Sequence, residues 1–158
     1  MAGRYAAPAT RRATAAFYER SVNTLPNKLE LADDDGCFVC GKSNPIGLKL
    51  EFDREGDEYV TYFTPGKEYQ GYTGITHGGI VSTILDEVMA RYAYVLGHNV
   101  VTGEMTVRLK RPARIGHKLR FAGRIDSENS RLMECSATAT DEDGALIAQA
   151  TGKLVKVR

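Results

Sequence analysis

No stretch of this 158-residue chain approaches the ~20 uncharged apolar residues needed to span a bilayer, and its first residues lack the continuous apolar core of a secretory leader. Neither feature points to a membrane. Net charge is also nearly absent. Lys and Arg number 21 against 20 Asp and Glu, a formal balance of +1, so the chain lacks the large positive surplus of a general nucleic-acid binder. Cysteine is scarce. Cys37, Cys40 and Cys135 are too few, and odd in number, for a disulfide scaffold, so a reducing cytoplasm is the expected compartment. The phosphate-binding P-loop, the dinucleotide glycine fingerprint and a serine nucleophile elbow are all missing. No cofactor is expected. No internal repeat appears, and no linker divides the chain.

What is present is an ordinary globular composition, 42% hydrophobic and 26% charged, long enough to bury roughly 70% of its unfolded surface in one core. Its charge is local. Arg4, Arg11, Arg12 and Arg20 stand against Glu19 alone. Such an acid-poor start can resemble an organelle transit peptide. We read it as a docked helix over 10–23, with Ala13, Ala16, Phe17 and Val22 inward. Residues 1–36 then form a helical extension and residues 37–158 the main domain. From Glu104 to Arg124 there are seven basic residues and one acid, or +6 over 21 residues. That patch suits an anionic small molecule or, equally, a charged face that keeps a sheet edge soluble.

Periodicity predicts strands over 47–52, 57–64, 102–110, 118–125, 132–140 and 145–157, joined by acidic or glycine-bearing turns. Pro112 belongs at a strand end. One helix interrupts them, over 78–96. Ile80, Val81, Ile84, Leu85, Val88, Met89, Tyr92, Ala93 and Leu96 fill two adjoining faces, the mark of a largely buried helix, and Gly97 is placed to end it. The expected fold class is α+β, a buried helix wrapped by antiparallel strands.

Chemistry concentrates at the start of that helix. Gly78 and Gly79 follow His77 and occupy the first turn, where backbone N–H groups lack internal partners and the helix dipole is positive. Such a turn can polarise a carbonyl oxygen. Asp86 is an acid within an apolar helix, costly unless paired or functional. Gly79 and Asp86 are seven residues apart, roughly 10.5 Å along the axis, too far to act on one carbonyl. Two such helices packed antiparallel about a twofold axis would bring Gly79 of one copy near Asp86 of the other. If both act, the protein is at least a dimer with shared sites.

At these residues the sequence resembles the hotdog-fold thioesterases of the phenylacetic-acid-pathway (PaaI-like) group. The resemblance rests on His77-Gly78-Gly79, on Asp86 nine residues after the histidine, and on Thr106-Val-Arg-Leu-Lys-Arg-Pro-Ala-Arg-Ile-Gly116. It runs from about Cys37 to Val157. Cys37-Phe-Val-Cys-Gly and Asn44-Pro-Ile-Gly-Leu are similar to the leading segment of THEM-type acyl-CoA thioesterases. The resemblance implies a long central helix wrapped by an antiparallel sheet, a homodimer or homotetramer with the site at a subunit interface, and hydrolysis of acyl-coenzyme A. Asp86 would attack the thioester or activate water. The Gly79 N–H would polarise the oxygen, and His77 would fix the loop. Where some relatives carry Asn or Gln six residues before the histidine, this chain has Gly71, with Gln70 adjacent as a substitute. Arg108, Lys110, Arg111 and Arg114 become candidates for the phosphates of coenzyme A. Tyr69, Tyr72, Tyr92 and Tyr94 suggest an aromatic pocket wall. A non-catalytic acyl-CoA-binding protein and a hotdog hydratase are the alternatives.

Cys37-x-x-Cys40 is a single pair. Structural zinc takes four ligands, usually from a second pair, so the sequence predicts no metal site there and reads the segment as a packed loop.

Overall fold

In the computed structural model, residues 31–157 are described. The helix expected over 10–23 lies outside them, as does most of the expected 1–36 extension. Six antiparallel strands form the main sheet: β1 (Phe52–Glu55), β2 (Glu58–Phe63), β5 (Val100–Leu109), β6 (Leu119–Glu128), β7 (Leu132–Thr140) and β8 (Leu146–Lys156). Their spatial order is β1-β2-β6-β7-β8-β5. A small hairpin of β3 (Gln70–Tyr72) and β4 (Ile75–Thr76) precedes the helix α1 (Gly78–Val95). This is the expected α+β architecture of one long helix held against an antiparallel sheet.

The helix forms where its apolar rows predict it. Val81, Ile84, Leu85, Val88, Met89, Tyr92 and Ala93 are buried. Each large aliphatic among them contributes roughly 1.5–3 kcal/mol by leaving water. Ile80, in the first turn, is only half-buried. Leu96 is exposed, because the helix ends at Val95, one residue short of prediction. Gly97, at φ 90°, takes the left-handed turn beyond it. The sheet meets the helix closely at Gly123, where a Cβ would lie 2.8 Å from the Val88 carbonyl oxygen. No side chain fits that gap, so this glycine sets the distance between layers.

One expected strand is displaced. Residues 47–51 alternate in polarity but do not join the sheet, which begins at Phe52. Lys49 has φ 55°, a left-handed conformation no regular strand contains. Leu48 and Leu50 instead donate backbone hydrogen bonds to Phe38 and Val39, both at 2.8 Å. The segment is an extended arm paired to the CxxC loop. Phe52 continues into a stack of three rings, Phe52, Tyr59 and Tyr92, with centroids 5.5 and 5.4 Å apart. That stack ties arm, sheet and helix together.

The other strands of the main sheet lie close to their predicted ranges, the β3–β4 hairpin lies outside the prediction, and Pro112 falls just beyond β5. β5 is an edge strand ten residues long. Its pairing with β8 shifts between Thr102 and Glu104, a bulge at Gly103. Bulges re-aim neighbouring side chains, and here Thr102 is the one affected.

Candidate active site

The backbone before α1 is tied down on both sides. Thr76 donates its N–H to the Ala113 carbonyl, and His77 donates its N–H to that of Tyr69, both at 2.8 Å. His77 is the helix N-cap, and its Nδ1 accepts the Gly79 N–H at 2.9 Å. An imidazole in place of the usual Ser, Thr or Asp satisfies one orphan donor of the first turn. The glycines make this possible. A Cβ on Gly79 would lie 2.9 Å from His77 Nδ1, and one on Gly71 would lie 3.2 Å from His77 Cα. Gly71 therefore gives His77 its room. The Gly79 N–H is committed to His77, whereas the Gly78 N–H has no partner among the described residues.

A groove of about 410 Å³ opens on this turn. Its walls include His77, Gly78 and Tyr72 on one side and Leu109, Lys110 and Arg111 on the other. Lys110 and Arg111 both donate backbone N–H groups to Ile147, at 2.8 and 3.1 Å, which anchors the basic rim to β8. Thr76 also lines the groove, and its buried Oγ1 has no partner among the described residues. Sequence reading missed this hydroxyl, since nothing local distinguishes a threonine that ends a two-residue strand.

The predicted residues separate into two places. His77, Gly78, Lys110 and Arg111 share the groove. Asp86 is not among its walls. It sits half-buried on α1, where Thr102 Oγ1 donates a 2.7 Å hydrogen bond to its Oδ1. The acid is thus paired, as its position in an apolar helix requires. Gln70 is turned into its own hairpin, its Oε1 accepting the Gly74 N–H at 3.4 Å. Arg114 forms an isolated bridge with Ile75, and Arg108 is exposed on β5, opposite Gln149.

The basic stretch is less uniform than its count of +6 suggests. Arg120 clasps the β1–β2 hairpin through Glu55 and Glu58, at 2.8 and 2.9 Å. Lys118 lies over the Tyr62 ring, 4.4 Å from its centroid. Arg108, Lys110, Arg111 and Arg114 form no ion pair among the described residues. The aromatic wall also needs correction. Tyr72 lines the groove, but Tyr92 belongs to the core stack and Tyr69 packs edge-on against Phe63. Tyr94 is exposed beneath the Arg91 guanidinium. Helical and loop geometry, not residue type, decides which rings reach the groove.

The cysteine pair meets a half-buried acid of α1. Cys37 Sγ lies 3.6 Å from both carboxylate oxygens of Glu87 on α1. Burial, and then the Glu87 carboxylate, push the Cys40 thiol up from its ordinary value. Cys135, buried on β7, is pushed up to about 12, first by burial and then by Asp126.

Residues 73–148 match the thioesterase superfamily. Among curated proteins, the chain is 27% identical to the acyl-coenzyme A thioesterase THEM4 of Xenopus laevis over 62% of its length and 45% of the relative's. It is 23% identical to the human acyl-coenzyme A thioesterase THEM5, over 85% of this chain and 57% of that one. The chain thus spans about half the length of these curated relatives. Similar solved structures include the thioesterase superfamily protein RHA08564, with TM-score 0.74 at 20% identity, covering 92% of this chain and 76% of the other. The Streptococcus mutans protein smu.793, solved with acetyl CoA, has TM-score 0.64 at 19% identity, covering 69% and 90%. The Escherichia coli PaaI protein has TM-score 0.66 at 16% identity, covering 70% and 81%.

Proposed function

We propose that this chain, whose residues 73–148 match the thioesterase superfamily and whose fold is that of the hotdog thioesterases, hydrolyses the thioester of acyl-coenzyme A at sites shared between two copies. One observation carries the proposal. The groove at the N-terminus of α1 joins the His77–Gly78 turn to a basic rim of Lys110 and Arg111. A thioester and the phosphates of its nucleotide need those two features side by side.

In this reading, the thioester oxygen enters the groove and accepts the open Gly78 N–H. The Gly79 N–H joins it when His77 Nδ1 gives up its bond. Two N–H donors on a helix N-terminus stabilise the negative charge that develops on that oxygen. Asp86 of the second copy supplies the attacking carboxylate or the base that activates water. Thr102 holds Asp86 in one orientation. The thiolate of coenzyme A leaves, and its phosphates stay against Lys110 and Arg111, with Arg108 and Arg114 at the margin.

Sharing of the site is supported by two facts. Asp86, two turns along α1, lies outside the walls of the groove that His77 and Gly78 line. Among the described residues β5 also presents a ten-residue open edge, a backbone template suited to pairing with a second β5. The homodimer or homotetramer, the acyl-CoA substrate and the cytoplasmic setting are parts of this proposal. Release of free thiol from a panel of acyl-CoAs tests it. Turnover with release of coenzyme A is expected, and it is lost in Asp86→Asn. Binding without thiol release would favour a non-catalytic acyl-CoA carrier. Hydration of an enoyl-CoA without thiol release would favour a hydratase.

A further inference from the structure

We propose that Cys37, Cys40 and Glu87 form a zinc site that clips the CxxC loop to α1. The inference stands independently of thioester hydrolysis. One ligand atom from each of the three residues lies within 4.8 Å of the other two. All three residues are half-buried. A tetrahedral zinc ion, with Zn–S about 2.3 Å and Zn–O about 2.0 Å, requires its sulfur and oxygen ligands about 3.6 Å apart. Cys37 Sγ lies 3.6 Å from each Glu87 oxygen. The spacing across the site is already that of a metal-ligand pair.

The loop has the construction that holds a thiolate. Val39 and Cys40 direct their backbone N–H groups at Cys37 Sγ, at 3.3 and 3.5 Å. Gly41 closes the turn by donating its N–H to the Cys37 carbonyl at 2.9 Å. A Cβ at Gly41 would lie 2.4 Å from the Asp35 carbonyl oxygen and 2.5 Å from the Cys37 nitrogen, so no side chain is admitted. These N–H groups serve as the outer hydrogen bonds that orient a metal-bound sulfur.

Ligand chemistry selects the ion. Two thiolates with one carboxylate favour zinc over magnesium or calcium, which prefer oxygen alone. Binding replaces the two thiol protons, which leave to solvent as two Zn–S bonds form. Two thiolates and a carboxylate around Zn²⁺ leave one net negative charge, and Arg91 stands one turn along α1 to meet it. Arg91 also reaches Asp33 at 3.7 Å, so the loop and the helix share a counter-ion. Among the described residues no fourth ligand joins the group, which leaves one position for water. The consequence is mechanical. The arm over 48–50 pairs with residues 38 and 39, and the clip fixes both to the helix turn that carries Asp86.

The test uses the full chain, purified reduced and exposed to zinc before removal of unbound metal. Expected is one zinc per chain by elemental analysis, with a raised Tm that a chelator reverses. Cobalt in place of zinc gives thiolate-to-metal charge-transfer absorption. Cys40→Ser loses the metal. Glu87→Gln, an isosteric change at a half-buried position that should fold, weakens binding roughly 10–100-fold or more, since removing a ligand costs at least as much as removing an outer partner. Cys135→Ser, a separate buried thiol, keeps it. Absence of zinc from the reduced wild-type chain at micromolar free metal overturns the proposal. So does unchanged affinity in Glu87→Gln, or equal loss in Cys135→Ser.

Discussion

Thr102 Oγ1 donates a 2.7 Å hydrogen bond to Asp86 Oδ1, joining the sheet-edge strand β5 to the middle of α1. The register shift of β5 between Thr102 and Glu104 falls beside the donor. The bond occupies one carboxylate oxygen and leaves the other for chemistry. In the proposed mechanism Thr102 is a positioning residue for Asp86.

Thr102→Val keeps the shape and removes that one bond to a charged acceptor, worth about 1.5–3 kcal/mol. The expected outcome is a fall in kcat of roughly tenfold, with KM for acyl-CoA nearly unchanged. Thr102→Ser restores the rate. Steady-state thiol release on folded proteins reads it, and a change confined to KM would remove the positioning role.

The basic rim predicts the opposite split. Arg111→Ala or Lys110→Ala removes a phosphate contact and should raise KM for acyl-CoA roughly tenfold, equivalent to about 1.4 kcal/mol. Thioesters lacking the nucleotide should be hydrolysed as before. Arg114→Ala and Arg108→Ala, outside the groove walls, should act more weakly. Equal effects on both substrate classes would show that the rim only keeps the edge soluble.

The helix was legible because its apolar rows repeat over five turns, and a buried helix needs no partner identity to announce itself. The glycine turn was legible for a local reason, two glycines after a histidine. Residues 47–51 misled because an extended arm shows the same alternation as a strand, and only the left-handed Lys49 separates them. The meeting of Cys37 with Glu87, fifty residues apart, needs the packed position of the arm on α1. The Thr102–Asp86 pair needs the crossing of α1 by β5, which joins residues sixteen apart in sequence. Lys118 and Arg120 counted toward a patch, yet tertiary contacts with Tyr62, Glu55 and Glu58 absorb them.

Gly123→Ala tests the layer spacing. Its Cβ would meet the Val88 carbonyl oxygen at 2.8 Å and the carbonyl carbon at 3.0 Å, and a helix backbone cannot step aside as a side chain can. The overpacking should cost about 1–3 kcal/mol, read as a lower urea midpoint at unchanged slope. A neutral result would mean that α1 floats on the sheet.

Acid should loosen the β1–β2 hairpin first. The Arg120 guanidinium holds the Glu55 carboxyl below its ordinary 4.5, with a smaller contribution from the Tyr62 hydroxyl. A depressed folded value means that the pair stabilises the fold above the ordinary value. That contribution is lost as pH falls through the lower folded value. The Tm gap between wild type and Arg120→Gln should therefore be present at pH 7 and close as pH drops below 4.5. A gap that persists in acid would assign the effect to packing of the Arg120 stem.

Complementation addresses the shared site directly. Asp86→Asn keeps size and polarity but removes the basic oxygen, and it should lower kcat roughly 10²–10⁴-fold. Gly79→Ala places a Cβ 2.9 Å from His77 Nδ1 and should disable the donor turn. Each variant alone should be nearly inactive. If one copy supplies the turn and the other the acid, a dimer of one Asp86→Asn chain and one Gly79→Ala chain holds one intact site and one doubly damaged site. Random mixing makes about half of all dimers mixed, each with one working site of two. Unfolding and refolding an equal mixture should then recover about a quarter of wild-type activity. Size-exclusion chromatography must show dimers for both parents. If each site lay within one chain, no mixture would contain an intact site, and activity would stay at the level of the parents. That outcome, from folded dimers, would remove the shared-site mechanism.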